Sequence, residues 1–553
     1  MSRASRGAWV GLAGMAAVAF FFRNQLGNGF VLLLGDRHDA VIELSILEHW
    51  ANVLRGLSSW DRTDYFYPVP DTLGYNDGYL LFGLLYAAFR ATGADRFLSG
   101  ELVNAATRLI GYFATYAVGR RVLRVPGGWA SFAAVLFTIS NNLFIRGSHA
   151  QLFSIGFVPV LVLLLHGLLA ALLEDRRSAL LGWGAGFAVG LAACLMTGFY
   201  MAWYFAYLGG ATLLAWLVVA GRPARRRLWE AVRAQAWPLL AVAAAAVLAE
   251  LPFLGLYLPK AAETGMHPWA DVLIHVPSLL DVFHVGEANY LWGWLVRRAN
   301  DAFRPGFPFW SERMTGMPPF LLLTFAAALA WLWRGGGAVP PPRVALLRAL
   351  ALAVLGTWAL TLQVDGVTPW SVVYRVVPGA KAARVVARYQ IFLTLPVVLL
   401  AAALLAAEAR RLPRAMLALL VGLLLAEQAN AYAPLFLDRR LEAARLAAVP
   451  PAPADCRAFY VSAARTESRF GEEVANPYNH NTEAMLVAAA KHLPTINGIS
   501  TFNPPFWPTA IPEDPAYRTQ VRAYADHWGV TGLCALDLRR FAWNGRDERP
   551  DGR

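Results

Sequence analysis

Runs of apolar residues close to the length that crosses a bilayer recur along this chain, and they constrain its fold more than any other feature. A bilayer core accepts a helix of about 20 apolar residues. Leu152 to Leu173 and Leu239 to Leu258 have that length, and Trp129 to Phe144 and Ala415 to Leu425 are shorter runs of the same character. The 553 residues are 57% hydrophobic and 16% charged, a balance that would give a soluble domain of this size large exposed apolar patches. A polytopic α-helical membrane protein is expected, and a soluble enzyme is disfavoured.

The net charge of +12 would suggest nucleic acid as a partner of a soluble protein. Here the arginines sit in short connections between apolar runs, so no nucleic-acid role is assigned and the charge is read as a topology signal. Arg120, Arg121 and Arg124, Arg176 and Arg177, Arg222 with Arg225 to Arg227, Arg334 and Arg343, and Arg410, Arg411 and Arg414 form five basic clusters. With each cluster inside, two spans separate neighbouring clusters. The turn at Arg146 to Gln151 and the loops 260–315 and 364–388 then fall outside. Tyr79 to Phe89 is too short to span and is followed by Arg90 and Asp95, so it reads as interfacial, and Leu102 to Val118 becomes the second span. The expectation is about eleven crossings in the inner (plasma) membrane of a bacterium, beginning with an uncleaved first span, the N-terminus cytoplasmic and the C-terminal end extracytoplasmic.

Residues 1–431 form the expected transmembrane domain, with a first outer loop at 35–100 and a second at 260–315. Beyond a linker at Pro450, Pro451 and Pro453, residues 432–553 read as a small outer α/β domain. Strands are expected over Arg457 to Ser462 and Gly532 to Leu538, and helices over Thr482 to His492 and Tyr517 to Trp528. Cys456 and Cys534 either bridge in an oxidising compartment or stay as buried thiols.

The first outer loop opens on Gly35-Asp36-Arg37-His38-Asp39 and carries Asp61, Asp64, Asp71 and Asp77. Carboxylates at a membrane surface suit a general base or a divalent-cation site, while the plainer reading is that Asp36 or Asp39 caps the next helix. That helix, Ala40 to Leu54, gathers Val41, Leu44, Leu47, Trp50 and Leu54 on one side and is expected to lie on the membrane surface. Lys381, Arg384 and Arg388 fall on one narrow helical arc on the outer side, where cations oppose the inside-positive bias and suit an anionic ligand such as phosphate. His149, in the outer turn Arg146-Gly147-Ser148-His149-Ala150-Gln151, is a candidate for substrate or metal contact. Glu250 and Glu427 lie at ends of apolar runs. The loop 260–315, with His267, His275, His284, Glu287, Trp292, Trp294 and Trp310, reads mainly as an interfacial aromatic belt, and its histidines have no zinc spacing. A phosphate-binding Gly-x-x-x-x-Gly-Lys-Ser/Thr loop is absent from the sequence, which disfavours a nucleotide-driven pump.

In this order the features resemble the C-type (GT-C) glycosyltransferase superfamily of multispan enzymes that use lipid-linked sugars. The residues that carry the resemblance are Gly35 to Asp39, Tyr67-Pro68-Val69-Pro70-Asp71-Thr72-Leu73-Gly74-Tyr75-Asn76-Asp77-Gly78, the interfacial helix and the span closing on Arg120-Arg121, His149-Ala150-Gln151 with Pro159, Pro378 to Arg388, and Asn497-Gly498-Ile499-Ser500-Thr501-Phe502-Asn503-Pro504. The resemblance implies a polyprenyl-phosphate sugar as donor, membrane lipid around it, and a glycan, lipid or protein acceptor. It implies Asp36 or Asp39 as base or metal-linked activator, Asp77 as a further acid, Lys381, Arg384 and Arg388 on the donor phosphate, and possible use of a divalent cation, magnesium or manganese. The adjacent Asp-Asp or Asp-Glu pair of better-defined members is missing. A transporter or flippase for a lipid-linked glycan, and a non-catalytic envelope assembly protein, are the alternatives.

Overall fold

The computed structural model describes residues 3–308, 311–337, 339–465, 470 and 476–546. Helix α1 (Arg3–Phe21) and the short α2 (Arg23–Gly27) lead to β1 (Leu32–Leu33), α3 (Asp39–Leu54) and α4 (Leu80–Ala91). Helix α5 (Arg96–Arg121) starts where the Asp95 carboxylate accepts the amides of Phe97 and Leu98, at 3.1 and 3.0 Å, an N-cap that satisfies two otherwise orphaned donors. Next come α6 (Gly127–Thr138) and α7 (Asn141–Ile145), interrupted at Ile139 and Ser140. The interruption frees carbonyls at the end of α6. The fully buried Arg108 of α5 takes them, its Nε donating to Thr138 O at 3.1 Å and its Nη2 donating to the Phe137 and Thr138 carbonyls. Two of the three nitrogens of this buried cation are thereby given hydrogen bonds, while Nη1 has no partner among the described residues.

Helices α8 (Val158–Leu173), α9 (Arg177–Leu195), α10 (Phe199–Val219), α11 (Arg222–Ala234) and α12 (Ala236–Thr264) follow, with a 3-10 segment at Ala150–Phe157 leading into α8. The connection 260–315 holds α13 (Trp269–Ile274) and α14 (Gly293–Phe303). The chain re-enters the bundle through α15 (Pro319–Trp333), α16 (Pro341–Leu360), the short α17 (Trp370–Val376), α18 (Tyr389–Glu408) and α19 (Arg414–Ala426). Among the described residues, seven helical stretches are long and apolar enough to cross a membrane. Together with the shorter apolar α1, α15 and α19 and the more polar, 26-residue α5, they supply the eleven crossings expected. The short apolar α4 packs on α3 and α5 and remains outside that set.

Past α19, β2 (Leu437–Asp438) pairs with β1, and α20 (Arg439–Ala448) leads to β3 (Ala458–Ala463), α21 (Asn479–Lys491), α22 (Ala516–Trp528), β4 (Leu533–Asp537) and β5 (Ala542–Arg546). Strand β3 runs parallel to β4, which pairs antiparallel with β5. The four expected elements are present within a few residues, β5 is additional, and Cys456 is bridged to Cys534.

Two expectations are corrected. Helix α3 does not offer one face to a membrane: its apolar Val41, Leu44 and Leu47 and its acidic Glu43 and Glu48 are all buried, because α4 and α5 cover one side and α21 the other. Glu48 is compensated by Arg96 at 3.1 Å, Arg90 at 3.5 Å and the Tyr86 hydroxyl at 2.6 Å. Residues 380–388 do not form one helix either. Gly379 has φ +82°, and a Cβ there would fall 2.7 Å from Trp203 Nε1, which donates to Pro378 O at 2.8 Å. Pinned by that contact, the segment forms two separate 3-10 turns, Ala380–Ala382 and Val386–Arg388, and the cationic arc is not formed.

Candidate active site

The turn entering α3 separates the two candidate aspartates. Asp36 Oδ1 accepts the amides of His38 and Asp39, both at 2.8 Å, so Asp36 acts as the cap of the turn. Arg37, between them, points to the opposite side and pairs with Glu483 of α21, while Thr482 Oγ1 donates to Arg37 O at 2.8 Å. Glu483 also meets Arg465 Nη2 at 2.6 Å. The C-terminal segment thus clamps the acidic loop from behind.

Asp39 carries its carboxylate in the other direction, with the side chain 40% exposed. Its Oδ2 lies 2.9 Å from His149 Nδ1, and His149 Nε2 lies 2.8 Å from Glu312 Oε1. Glu312 in turn meets Arg388 Nη2 at 3.2 Å and Arg146 Nη2 at 3.5 Å. With a carboxylate against each ring nitrogen, His149 donates from both and is an imidazolium. Two carboxylates against one imidazolium and two guanidinium groups leave the cluster with one positive charge.

The surroundings tune these groups in opposite directions. Burial works against the His149 charge, but Glu312 and Asp39 hold its pKa above the ordinary range. Burial also opposes ionisation of Glu312, and Arg388, His149 and Arg146 override it, holding that carboxyl well below its usual value. Asp39 is lowered by the His149 hydrogen bond and charge against the same burial term. Asp36 is raised, by burial and then by the Asp39 charge. Of the two aspartates, Asp39 is the one whose pKa is lowered and whose carboxylate, 40% exposed, is open to a ligand.

Asp77 reaches the same region. Gly78 permits its approach: a Cβ there would sit 2.4 Å from Met196 O, and beside it Asp77 Oδ1 accepts the Phe199 amide at the start of α10 at 2.8 Å. Burial raises the Asp77 pKa, and the Arg388 charge offsets part of that rise. Arg388 itself lies over the Tyr200 ring at 5.4 Å. Arg384 stays exposed, forms no ion pair among the described residues, and its charge acts on Tyr200, His267 and His275. Lys381 is apart, over Tyr374 at 5.7 Å.

The structure thus brings Asp36, Asp39, Asp77, His149 and Arg388 together, sets Arg384 at the rim and leaves Lys381 outside. Glu312, Arg146 and Tyr200 are the members that sequence reasoning missed. Glu312 sits in a loop read as an aromatic belt, and no spacing marks it. Arg146 was within the quoted turn, and its position beside His149 was the available signal. Trp310 lies outside the described residues. Glu427 is a cap, accepting the amides of Phe320 and Leu321 at 2.8 Å each. Asn497 is structural: its side chain accepts from Val461 N at 2.8 Å and donates to Asn481 Oδ1 at 2.8 Å, and its carbonyl accepts the Phe66 amide of the first loop at 3.2 Å. Among the described residues no three His, Cys, Asp or Glu side chains gather as a metal-ligand set. Asp39 and Glu312 are each already engaged by a His149 nitrogen, so the donors present do not make a preassembled magnesium or manganese site.

No family model matches this chain, and no curated protein does. Solved structures match. The arabinofuranosyltransferase AftD from mycobacteria superposes with a TM-score of 0.51 at 17% identity, over 91% of this chain and 32% of that one. The present chain thus spans about a third of AftD's length. The oligosaccharyltransferase of Archaeoglobus fulgidus gives 0.47 at 12% identity, over 95% of this chain and 68% of that one. ArnT from Cupriavidus metallidurans, in a structure bound to undecaprenyl phosphate, gives 0.37 at 13% identity, over 88% and 85%. At such identities the likeness is one of fold, and of these three AftD carries it. What the comparison establishes is therefore a fold shared with AftD.

Proposed function

We propose that the chain transfers a sugar from a polyprenyl-phosphate donor to an acceptor hydroxyl at the outer face of the inner membrane, with the N-terminus cytoplasmic and residues 432–553 as an extracytoplasmic domain. The observation that carries the reading is a pair of opposites at one site: the ionised, partly open Asp39, and Arg384, exposed and without an ion-pair partner among the described residues, near Arg388. A transfer of this kind needs both, a base for the acceptor and cations for the departing phosphate.

In this mechanism the acceptor oxygen attacks the anomeric carbon as its proton passes to Asp39. The bond from the anomeric carbon to the phosphate oxygen breaks, its electron pair leaves on the polyprenyl phosphate, and the configuration inverts. Arg384 and Arg388 offset the charge that collects on the leaving phosphate. His149 orients the Asp39 carboxylate and keeps it ionised, and Glu312 keeps His149 charged. The test is incorporation of label from a panel of polyprenyl-phosphate pentoses and hexoses into membrane acceptors. Wild-type protein is expected to incorporate one of them, and Asp39→Asn and Arg384→Ala proteins with unchanged melting behaviour are expected not to. Equal incorporation by all three would overturn the reading.

A further inference from the structure

Helix α11, Arg222–Ala234, takes no part in the site. Helix α10 begins beside the carboxylate cluster, at Phe199 and Tyr200, and its 21 residues carry the chain about 30 Å away at the helical rise. Helix α12 returns the chain to the first outer loop, where the Tyr257 hydroxyl donates to Asn76 O at 2.8 Å. Between these two spans, α11 lies at the opposite membrane boundary.

Its sequence, Arg-Pro-Ala-Arg-Arg-Arg-Leu-Trp-Glu-Ala-Val-Arg-Ala, divides cleanly at the helical period. Leu228, Ala231 and Val232 face the bundle and pack on Ala171, Leu172 and Leu180. The rest of the circumference presents Arg222, Arg225, Arg226, Arg227 and Arg233, all exposed, around Trp229, itself 56% exposed. One acid answers these five cations, Glu230, at 2.7 Å from Arg226. Arg233 covers Trp229 at 4.8 Å, and Trp237, 82% exposed, follows at the start of α12.

An excess of inside arginine is enough to orient spans during insertion, but that role does not need a docked, three-turn helix or two open tryptophans in the same band. Indole rings favour the level of lipid headgroups, and a docked helix with a cationic outer face suits a negatively charged one. We propose that α11 binds anionic phospholipid headgroups at the membrane face opposite the carboxylate site. The continuity of α11 with two spans favours lipid over an acidic soluble protein, because the helix already lies where headgroups are.

The test uses the full chain in nanodiscs of phosphatidylcholine, alone or mixed in equal parts with phosphatidylglycerol. Native mass spectrometry counts retained lipid, and thermal unfolding is followed in each. Wild-type protein is expected to retain phosphatidylglycerol preferentially and to melt higher in the mixture. Replacing Arg225, Arg226 and Arg227 by glutamine should weaken that preference by about fivefold per arginine without moving the melting temperature in pure phosphatidylcholine, and the triple lysine variant should keep it. Wild-type indifference to phosphatidylglycerol, a preference that survives the glutamine changes, or one that the lysine variant loses would each overturn the proposal. Should the glutamine variant fail to fold, the wild-type comparison between the two lipids still decides.

Discussion

Arginine is used differently at the two membrane faces of this molecule. At the carboxylate end, Arg388 and Arg146 are buried and each reaches Glu312, while Arg37 is spent on Glu483. At the other end the five arginines of α11 stand open with a single acid among them. Where guanidinium groups are desolvated, each needs a partner of fixed geometry, and removing that partner is expensive. Where they stay hydrated, they act as a field, and individual members are interchangeable. On the two proposals above, the difference separates a site built for chemistry from a surface built for adhesion.

The sharpest way to break this comparison is to remove one charge at each end. Asp39→Asn should lower sugar transfer by about 10²–10⁴-fold, whereas Arg226→Gln should leave the rate unchanged; equal losses would erase the distinction. Glu312→Gln comes next. It leaves His149, Arg388 and Arg146 facing one another without their shared anion, and a cost of about 3–5 kcal/mol in stability is expected, read as a drop in melting temperature. A smaller drop than that of a surface glutamate such as Glu230→Gln would contradict the pairing.

Proton linkage gives a graded test. Asp39 and Glu312 have lowered pKa values, so the stability they contribute is present above their unfolded values, about 4, and is lost as pH falls through the lower folded ones. His149 is raised, so its contribution is complete below about 6.5 and is lost as pH rises through its higher folded value. A melting-temperature profile should fall on the alkaline side, and a His149→Gln protein should lack that fall. The smallest effect belongs to the open end: single Arg→Gln changes in α11 should shift stability by less than about 0.5 kcal/mol in neutral lipid.

Much of this was legible from the residues. Apolar length set the crossings, since a span's hydrophobicity is local information. Asp39, Asp77, His149 and Arg388 were legible as polar groups beside apolar runs on one predicted face. What failed depended on contacts between distant segments. The amphipathic pattern of α3 identified one apolar side but carries no sign that α21 buries the other. The periodicity of Lys381, Arg384 and Arg388 is real in sequence, but Gly379 against Trp203 breaks the helix it would need. Glu312 has meaning only because its loop folds under the His149 turn. The order of Asp36 and Asp39 was open for the same reason, because a cap and a base differ only in what their carboxylates meet.

The most direct test is to locate the donor's headgroup. A cryo-EM map of the protein with a polyprenyl phosphate should show the phosphate within hydrogen-bond reach of Arg384 or Arg388, on the side that the Asp39 carboxylate faces. A phosphate bound only along α11, with the Asp39 and Arg384 region unchanged, would contradict the account.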